Sequence, residues 1–356
     1  MNEVKILYAI QATGNGHLAR ASDVIPLLKQ FGDVDVLVSG TQSELHLPQE
    51  PRFRLEGLSF VFGKDGGIDY RDTFFKTVLP QARLRVVQEL FSIPIHEYSW
   101  VLHDFEPITA WRAQSAKVPT FQLSHQAAFH SPLTPRAQPG STLTELIFRY
   151  AAPSTDHFGI HYEKYDKSIL TPIIRQEVRD ISPTRGDHYV VYLPSYGSEQ
   201  IASILNQIPH IEWHVFSKHQ RHISQHGNVL ISPVHGATFI ESLATGAGLL
   251  TGAGFQATSE AIFLGKKLLV IPQRGQYEQQ CNAVALSRLG VPVLPDLAPR
   301  SVSQIEDWLR YSVPLSIEFP DHIEHTVAEI AARMERLIDN PPISENNQQN
   351  QRRVAA

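Results

Sequence analysis

The sequence predicts an α/β protein made of two Rossmann-like, doubly wound halves in tandem. Three stretches carry that expectation. Residues 4–38 read as strand, glycine-bearing loop, helix and strand. Tyr189 to Leu193 opens a second apolar strand, which runs through Pro194-Ser195-Tyr196-Gly197-Ser198 into a helix with Ile201, Ile204, Leu205 and Ile208 on one face. Residues 248–283 then give strand, glycine turn, helix, strand, polar loop and helix start. Strands alternating with helices of this length indicate parallel sheets.

In the first half, Val4 to Ile10 has the continuous apolar character of a buried parallel strand. His17 to Phe31 shows helical periodicity through Leu18, Ala21, Ile25 and Leu28, and Val34 to Val38 is the second strand. Gly14-x-Gly16-x-x-Ala19 satisfies the loose dinucleotide fingerprint. A dinucleotide site also needs an acidic residue at the carboxyl end of the second strand. That end is Ser39-Gly40-Thr41, while Asp33 and Asp35 lie at the strand's start, which argues against NAD. Residues 50–98 are less legible: Phe60 to Gly67 reads as a strand entering a loop, and Thr73 to Phe91 as helix interrupted at Pro80. Trp100 to Asp104 is a short strand, so Asp104 falls at the same sheet edge as the glycine loop. Asp104 suits either a role at a site there or the N-cap of the next helix. Pro119 to Ser124 is another strand, followed by His125, and Thr142 to Tyr150 is a helix. His157 to Ile160 and Ile169 to Ile174 read as strands, and residues 174–187 as a crossover between halves.

In the second half, Glu212 to Phe216, Val229 to Ile231 and Pro292 to Leu294 read as strands. Phe239 to Thr245, Ser301 to Leu309 and Asp321 to Ile338 read as helices. Gly252-Ala253-Gly254 is a tight turn at a helix start, where free N–H groups and the positive dipole end suit a phosphate or diphosphate. Glu260, one turn into that helix, can accept the two hydroxyls of a ribose. Gln279, Gln280 and Asn282 follow the next strand at the same edge and can bind sugar hydroxyls in bidentate fashion.

Composition narrows the function classes. With 356 residues the chain should form two domains, and 42% apolar residues can fill their cores. A net charge of −5 gives no footing for nucleic acid as the main partner. The single cysteine, Cys281, rules out a disulfide framework or a cysteine-based metal site and fits a reducing compartment. The opening MNEVKILYAIQ reads as a core strand rather than a signal peptide. No apolar run reaches the roughly 18–20 residues of a transmembrane helix, so the expectation is a cytoplasmic protein that admits peripheral membrane contact. His214, His219, His222 and His226 crowd one segment, but neither HExxH spacing nor cysteine supports them, and a solvated loop is the better account. Asp33-Val34-Asp35 matches a D-x-D metal motif too short to carry weight alone.

Four short segments together resemble the GT-B glycosyltransferases of the MurG and UDP-glycosyltransferase type. They are the Gly14-Asn15-Gly16-His17 loop, the Gly252 to Gly254 turn, Ser259-Glu260 on the following helix, and Gln279-Gln280-Cys281-Asn282-Ala283 after a strand ending at Pro272. A fifth, Ser195 to Gly197, resembles a glycine–serine turn of that family with one glycine replaced by Pro194. The resemblance implies a GT-B fold with a cleft between residues 1–170 on the acceptor side and 171–320 on the donor side. It also implies that the helix at 321–339 crosses back to the first domain; residues 340–356, polar and Gln/Asn-rich, read as a disordered tail.

The implied activity is transfer of a sugar from a nucleotide-sugar donor, with a UDP-sugar favoured, to an acceptor hydroxyl, inverting and without metal or cofactor. His17 would be the base and Asp104 its orienting partner. A neutral histidine suits that task near physiological pH, and the positive end of a helix dipole disfavours its protonated form. The donor would meet Gly14, Gly16, Ser195, Gly197, Gly252, Gly254, Ser259, Glu260, Gln279, Gln280 and Asn282, with the base near residues 232–236. His125 would face the acceptor, for which a lipid or cell-envelope glycan is compatible. Two other functions fit the same fold: a nucleotide-sugar 2-epimerase, and a non-catalytic nucleotide-sugar binder.

Overall fold

In a computed structural model, residues 4–12, 15–40, 47–57, 80–138, 140–218 and 220–340 are described. The Phe60 to Gly67 loop, Thr73 to Leu79 and the tail from residue 341 lie outside them.

The first sheet is wholly parallel. Its strands are β1 (Lys5–Gln11), β2 (Asp33–Ser39), β3 (Phe53–Leu55), β4 (Trp100–Asp104), β5 (Thr120–Ser124), β6 (Asp156–Ile160) and β7 (Ile169–Leu170), in the order β3-β2-β1-β4-β5-β6-β7. β4 and β5 are buried at every position, as expected of strands covered on both faces. The chain leaves β1 toward one side of the sheet and returns at β4 to build the other. The crevice beyond the carboxyl ends of β1 and β4 is therefore a topological switch point, where open α/β sheets place ligands. Helix α1 (Asn15–Leu28) starts there, and α2 (Pro80–Ser92), α3 (Pro107–Ala116) and α4 (Thr142–Tyr150) follow. Pro80 opens its helix rather than breaking it, because a proline in the first turn lacks an N–H that would have no intrahelical partner.

The second sheet comprises β8 (His188–Tyr192), β9 (Glu212–Ser217), β10 (Ser224–His226), β11 (Val229–Pro233), β12 (Gly248–Thr251) and β13 (Lys267–Val270), in the order β10-β11-β9-β8-β12-β13. Only β10 is antiparallel, forming a hairpin with β11 inside the histidine-rich segment. The switch point lies between β8 and β12, so its crevice opens over the turn at residues 252–254. The helices here are α5 (Gln176–Arg179, in the crossover), α6 (Ser198–Leu205), α7 (Gly236–Thr245), α8 (Phe255–Phe263), α9 (Tyr277–Arg288) and α10 (Ser301–Tyr311). Two strand expectations shrink. Ile169–Leu170 stops short because Pro172 cannot donate to a ladder, and Pro292 to Leu294 contributes only a bridge between Val293 and Val270.

The last helix, α11 (Ile323–Asp339), buries Val327, Ile330, Ala331 and Met334. It packs on α1, and Arg333 Nη1 donates to Asp156 Oδ2 at 3.0 Å in β6. No described helix is long and apolar enough to cross a membrane.

Lys266 joins the crossover to the second sheet. It is 3% exposed, and its Nζ donates to the carbonyls of Thr184, Ala244 and Gly246 at 2.6, 2.6 and 2.9 Å. Two of these carbonyls lie at the end of α7, where a cation is favoured and intrahelical donors run out. Lys266→Met is expected to lower unfolding stability by about 1–3 kcal/mol in urea titration, because buried acceptors lose their donor. A change within about 0.5 kcal/mol would contradict that role.

Candidate active site

On the first-domain side, α1 begins just beyond β1 and presents His17 and Arg20 on one face. β4 ends beside it at Asp104, which is completely buried. His17 Nδ1 lies 2.9 Å from Asp104 Oδ1. Asp104 Oδ2 accepts from Arg20 Nε at 3.1 Å and Nη2 at 2.7 Å. Burial works against the Asp104 charge, but Arg20 and then His17 outweigh it and hold the carboxyl below its usual range. His17 keeps 14% of its side chain exposed, and with Nδ1 on the carboxylate the far ring edge is left toward the cleft.

The next residue explains why Asp104 is available. Phe105 has φ of +56°, a left-handed conformation that costs a bulky residue roughly 1–2 kcal/mol. That reversal lets Asp104 face α1 while Glu106 turns the other way and caps α3, accepting from the N–H groups of Ile108 at 3.1 Å and Thr109 at 2.7 Å. The N-cap is thus Glu106, and Asp104 has no capping duty.

On the opposite wall, the turn after β12 leads into α8. Gln279 Oε1 accepts from the N–H groups of Ala253 at 3.1 Å and Gln273 at 3.0 Å. A Cβ at Gly252 would stand 3.0 Å from that same oxygen, so a larger residue there would crowd the brace. Gly254 is the N-cap of α8 and makes no side-chain cap, leaving the first N–H groups of the helix open at the cleft. Glu260 lies one turn further, 2% exposed. Arg175, from the crossover, grips it with Nε at 2.7 Å and Nη2 at 2.9 Å, and Gln256 Nε2 donates to it at 2.7 Å. Tyr192, Lys218, Val234, Gly236 and Phe239 continue this wall outward.

The walls meet closely. A Cβ on Gly16 would stand 3.2 Å from Gln256 Cβ. Tyr162 and Thr258 hydroxyls are 2.7 Å apart, and Gln126 Nε2 donates to Glu278 Oε2 at 3.0 Å. His125 is stacked on Phe255, with ring centroids 4.0 Å apart and planes 10° apart. Its Nδ1 lies 2.8 Å from the carbonyl of Ile160 and its Nε2 2.8 Å from Asn282 Oδ1. The space left is a cleft of about 400 Å³, within the range of small-molecule sites. Phe105, Ile147, Phe148 and Tyr277 make its end on the first-domain side largely apolar.

Of the expected site residues, Gly16, His17, His125, Gly254 and Glu260 line this cleft, with Asp104 directly behind His17. Gly14 lies outside the described residues. Ser195, Gly197, Gly252, Ser259, Gln279, Gln280 and Asn282 do not line it. Three of these correct the sequence expectation. Ser259 is 1% exposed and donates its hydroxyl to Phe255 O within its own helix, at 2.8 Å. Asn282 is fully buried, with Nδ2 donating to Ala253 O at 3.0 Å and Oδ1 against His125. Gln279 commits its carbonyl oxygen to the turn. All three build this wall from behind. His125 shows its ring to the cleft but directs both nitrogens into the protein.

Sequence reasoning missed Arg20, Arg175, Gln256, Phe239 and Glu278. The i, i+3 spacing of His17 and Arg20 was a usable signal, as was Glu278 standing before Gln279 in a D-Q-x-x-N-A-like run. Arg175 gave none, being 85 residues from its partner. His214, in the histidine-rich segment, meets Ser242 Oγ at 3.0 Å and stacks on His188. Among the described residues no group of three or more His, Cys, Asp or Glu is placed to hold a metal ion.

The model of the family described as glycosyl transferase family 1 matches residues 4–314. None of the curated proteins matches the chain. Solved structures share its architecture at low identity. Arabidopsis thaliana UGT89C1 complexed with UDP has a TM-score of 0.57 at 14% identity, with 98% of each chain covered. CalG4, the calicheamicin glycosyltransferase, has a TM-score of 0.59 at 16% identity, covering 96% of this chain and 100% of its own. Os79 from O. sativa, in complex with U2F and trichothecene, has a TM-score of 0.57 at 15% identity, covering 92% and 100%. At such identities the likeness is one of fold: two Rossmann-like domains about a cleft. With its family model matched over most of its length and that fold beneath it, the chain belongs to glycosyl transferase family 1 and is a GT-B glycosyltransferase.

Proposed function

We propose that the protein transfers a sugar from a UDP-sugar to an acceptor hydroxyl by direct, inverting displacement without a metal ion. The observation that carries this is the His17–Asp104 pair facing the open N-terminus of α8 across one cleft. His17 takes the acceptor's proton on its cleft-side nitrogen as the acceptor oxygen bonds to the anomeric carbon. The bond from that carbon to the diphosphate oxygen breaks, and the charge on the leaving group grows toward the α8 N–H groups. Donors already aimed at a developing charge lower the barrier without reorganising. Attack opposite the leaving group inverts the anomeric centre.

Glu260 receives the ribose hydroxyls, taking them in place of Gln256 and part of the Arg175 grip, and Arg175 then lies free to meet the diphosphate. The base rests between Val234 and Phe239. The UDP bound by UGT89C1, on the same fold, favours uridine here. Glu278 and Gln126 face the donor sugar, in place of Gln279, whose carbonyl oxygen is committed to the turn. The apolar end by Phe105 and Phe148 suits an acceptor with an apolar body.

His17→Ala is expected to lower transfer by about 10²–10⁴-fold, the usual share of a general base, while UDP affinity stays within about threefold. Transfer above about a tenth of wild type would contradict the role. UDP at about 100 times its Kd should stabilise the protein by about 2.7 kcal/mol, read as a rise in Tm, and Glu260→Ala should lose most of that rise. A shift with NADH and none with any nucleoside diphosphate would sink the donor site. Transfer should persist in EDTA; loss in EDTA restored by a divalent ion would contradict metal independence.

A further inference from the structure

Asp104 has two partners, and proton transfer at His17 involves only one of them. His17 and Arg20 stand three residues apart on α1 and so share a helix face. Both guanidinium bonds fall on Oδ2, the carboxylate oxygen that His17 does not meet. Asp104 is fully buried and Arg20 is 3% exposed, so water screens neither charge.

The other titratable groups facing this cluster add little charge. Tyr8, from β1, is fully buried beside Asp104 and Arg20, and burial pushes its hydroxyl far up. His103, from β4, is pulled down by burial to about 4, and burial also lowers His125, after β5. Burial raises Glu106, whose oxygens turn into the N-terminus of α3. Across the cleft, Glu260 is matched by Arg175, and Glu278 is bonded to the neutral amide of Gln126. Among the described residues Arg20 is therefore the cation that acts directly on Asp104.

We infer that Arg20 is a positioning residue of the His17–Asp104 pair, fixing the carboxylate and setting the pH below which His17 can no longer accept the acceptor's proton. A buried carboxylate facing an imidazole alone favours the imidazolium, and a ring already protonated cannot act as base. Sharing that carboxylate with a guanidinium weakens its pull on the ring. The two N–H donors on Oδ2 also leave Oδ1 to His17, 2.9 Å from its Nδ1. This inference rests on His17 being the base.

The test follows the His17 Cε1–H resonance by NMR across pH, without substrate, in wild type, Arg20→Gln, Arg20→Met and Arg20→Lys. The acid limb of kcat/KM is measured alongside. Both neutral variants should raise the His17 midpoint by roughly one pH unit, and the acid limb with it. Arg20→Lys should keep the midpoint near wild type yet lower kcat about tenfold, because an ammonium supplies the charge without the planar grip. A midpoint that stays put or falls in Arg20→Gln overturns the inference, since loss of packing alone would not move it upward. Circular dichroism at each pH checks folding. If the neutral variants do not fold, a full-unit displacement in Arg20→Lys, where the charge is kept, overturns it instead. If the NMR midpoint rises while the acid limb stays fixed, Arg20 governs His17 but His17 is not the base. That result separates failure of the proposed function from failure of this inference.

Discussion

The two domains meet at a buried imidazole. His125, at the end of β5, reaches Ile160 within its own sheet and Asn282 in the other domain, both at 2.8 Å. Asn282 in turn donates to Ala253 O, and Ala253 N–H donates to Gln279. A continuous line of polar contacts thus runs from the first sheet to the turn that opens α8. It sits where water is excluded, and losing one partner would strand the others at a cost of about 1–3 kcal/mol. The stack of Phe255 on His125 fixes the angle at which α8 approaches. Because α8 is held there, its uncapped N-terminus lies at the cleft that His17 also lines, so the geometry of the cleft depends on this contact.

Charge in the cleft follows a second constraint. Carboxylates withdrawn from water are costly unless partnered, and Asp104, Glu260 and Glu278 each have a partner from a different element. Asp104 of β4 is held by Arg20 of α1, and Glu260 of α8 by Arg175 of the crossover. Glu278 of α9 bonds to Gln126 of the first domain. These contacts tie the walls together. They also place the groups the proposed chemistry needs: a fixed carboxylate behind the base, and an arginine able to meet an arriving diphosphate.

Much of this was legible in the sequence because it is local. Apolar runs without alternation marked the parallel strands, and 3.6-residue periodicity marked α1, α6 and α11 to within a few residues. The glycine turns marked both switch points. What escaped depends on distant or conformational facts. The pairing of Arg175 with Glu260 spans 85 residues. The choice of Glu106 over Asp104 as cap turns on the left-handed backbone of Phe105, which a phenylalanine does not advertise. Ser259, Gln279 and Asn282 had suitable chemistry for a donor, but the side of the wall each faces is set by tertiary packing. Strand β10 lies in a histidine-rich stretch expected to be a solvated loop, because polar residues on a short edge hairpin leave no apolar pattern.

The most direct measurement of the central claim is a crystal structure with UDP bound. The account predicts the diphosphate at the N–H groups of Phe255 and Gln256, the ribose on Glu260 with Arg175 turned toward the phosphates, and His17 facing the open sugar position. A diphosphate seated instead at the start of α1, with Glu260 still gripped by Arg175, would contradict it.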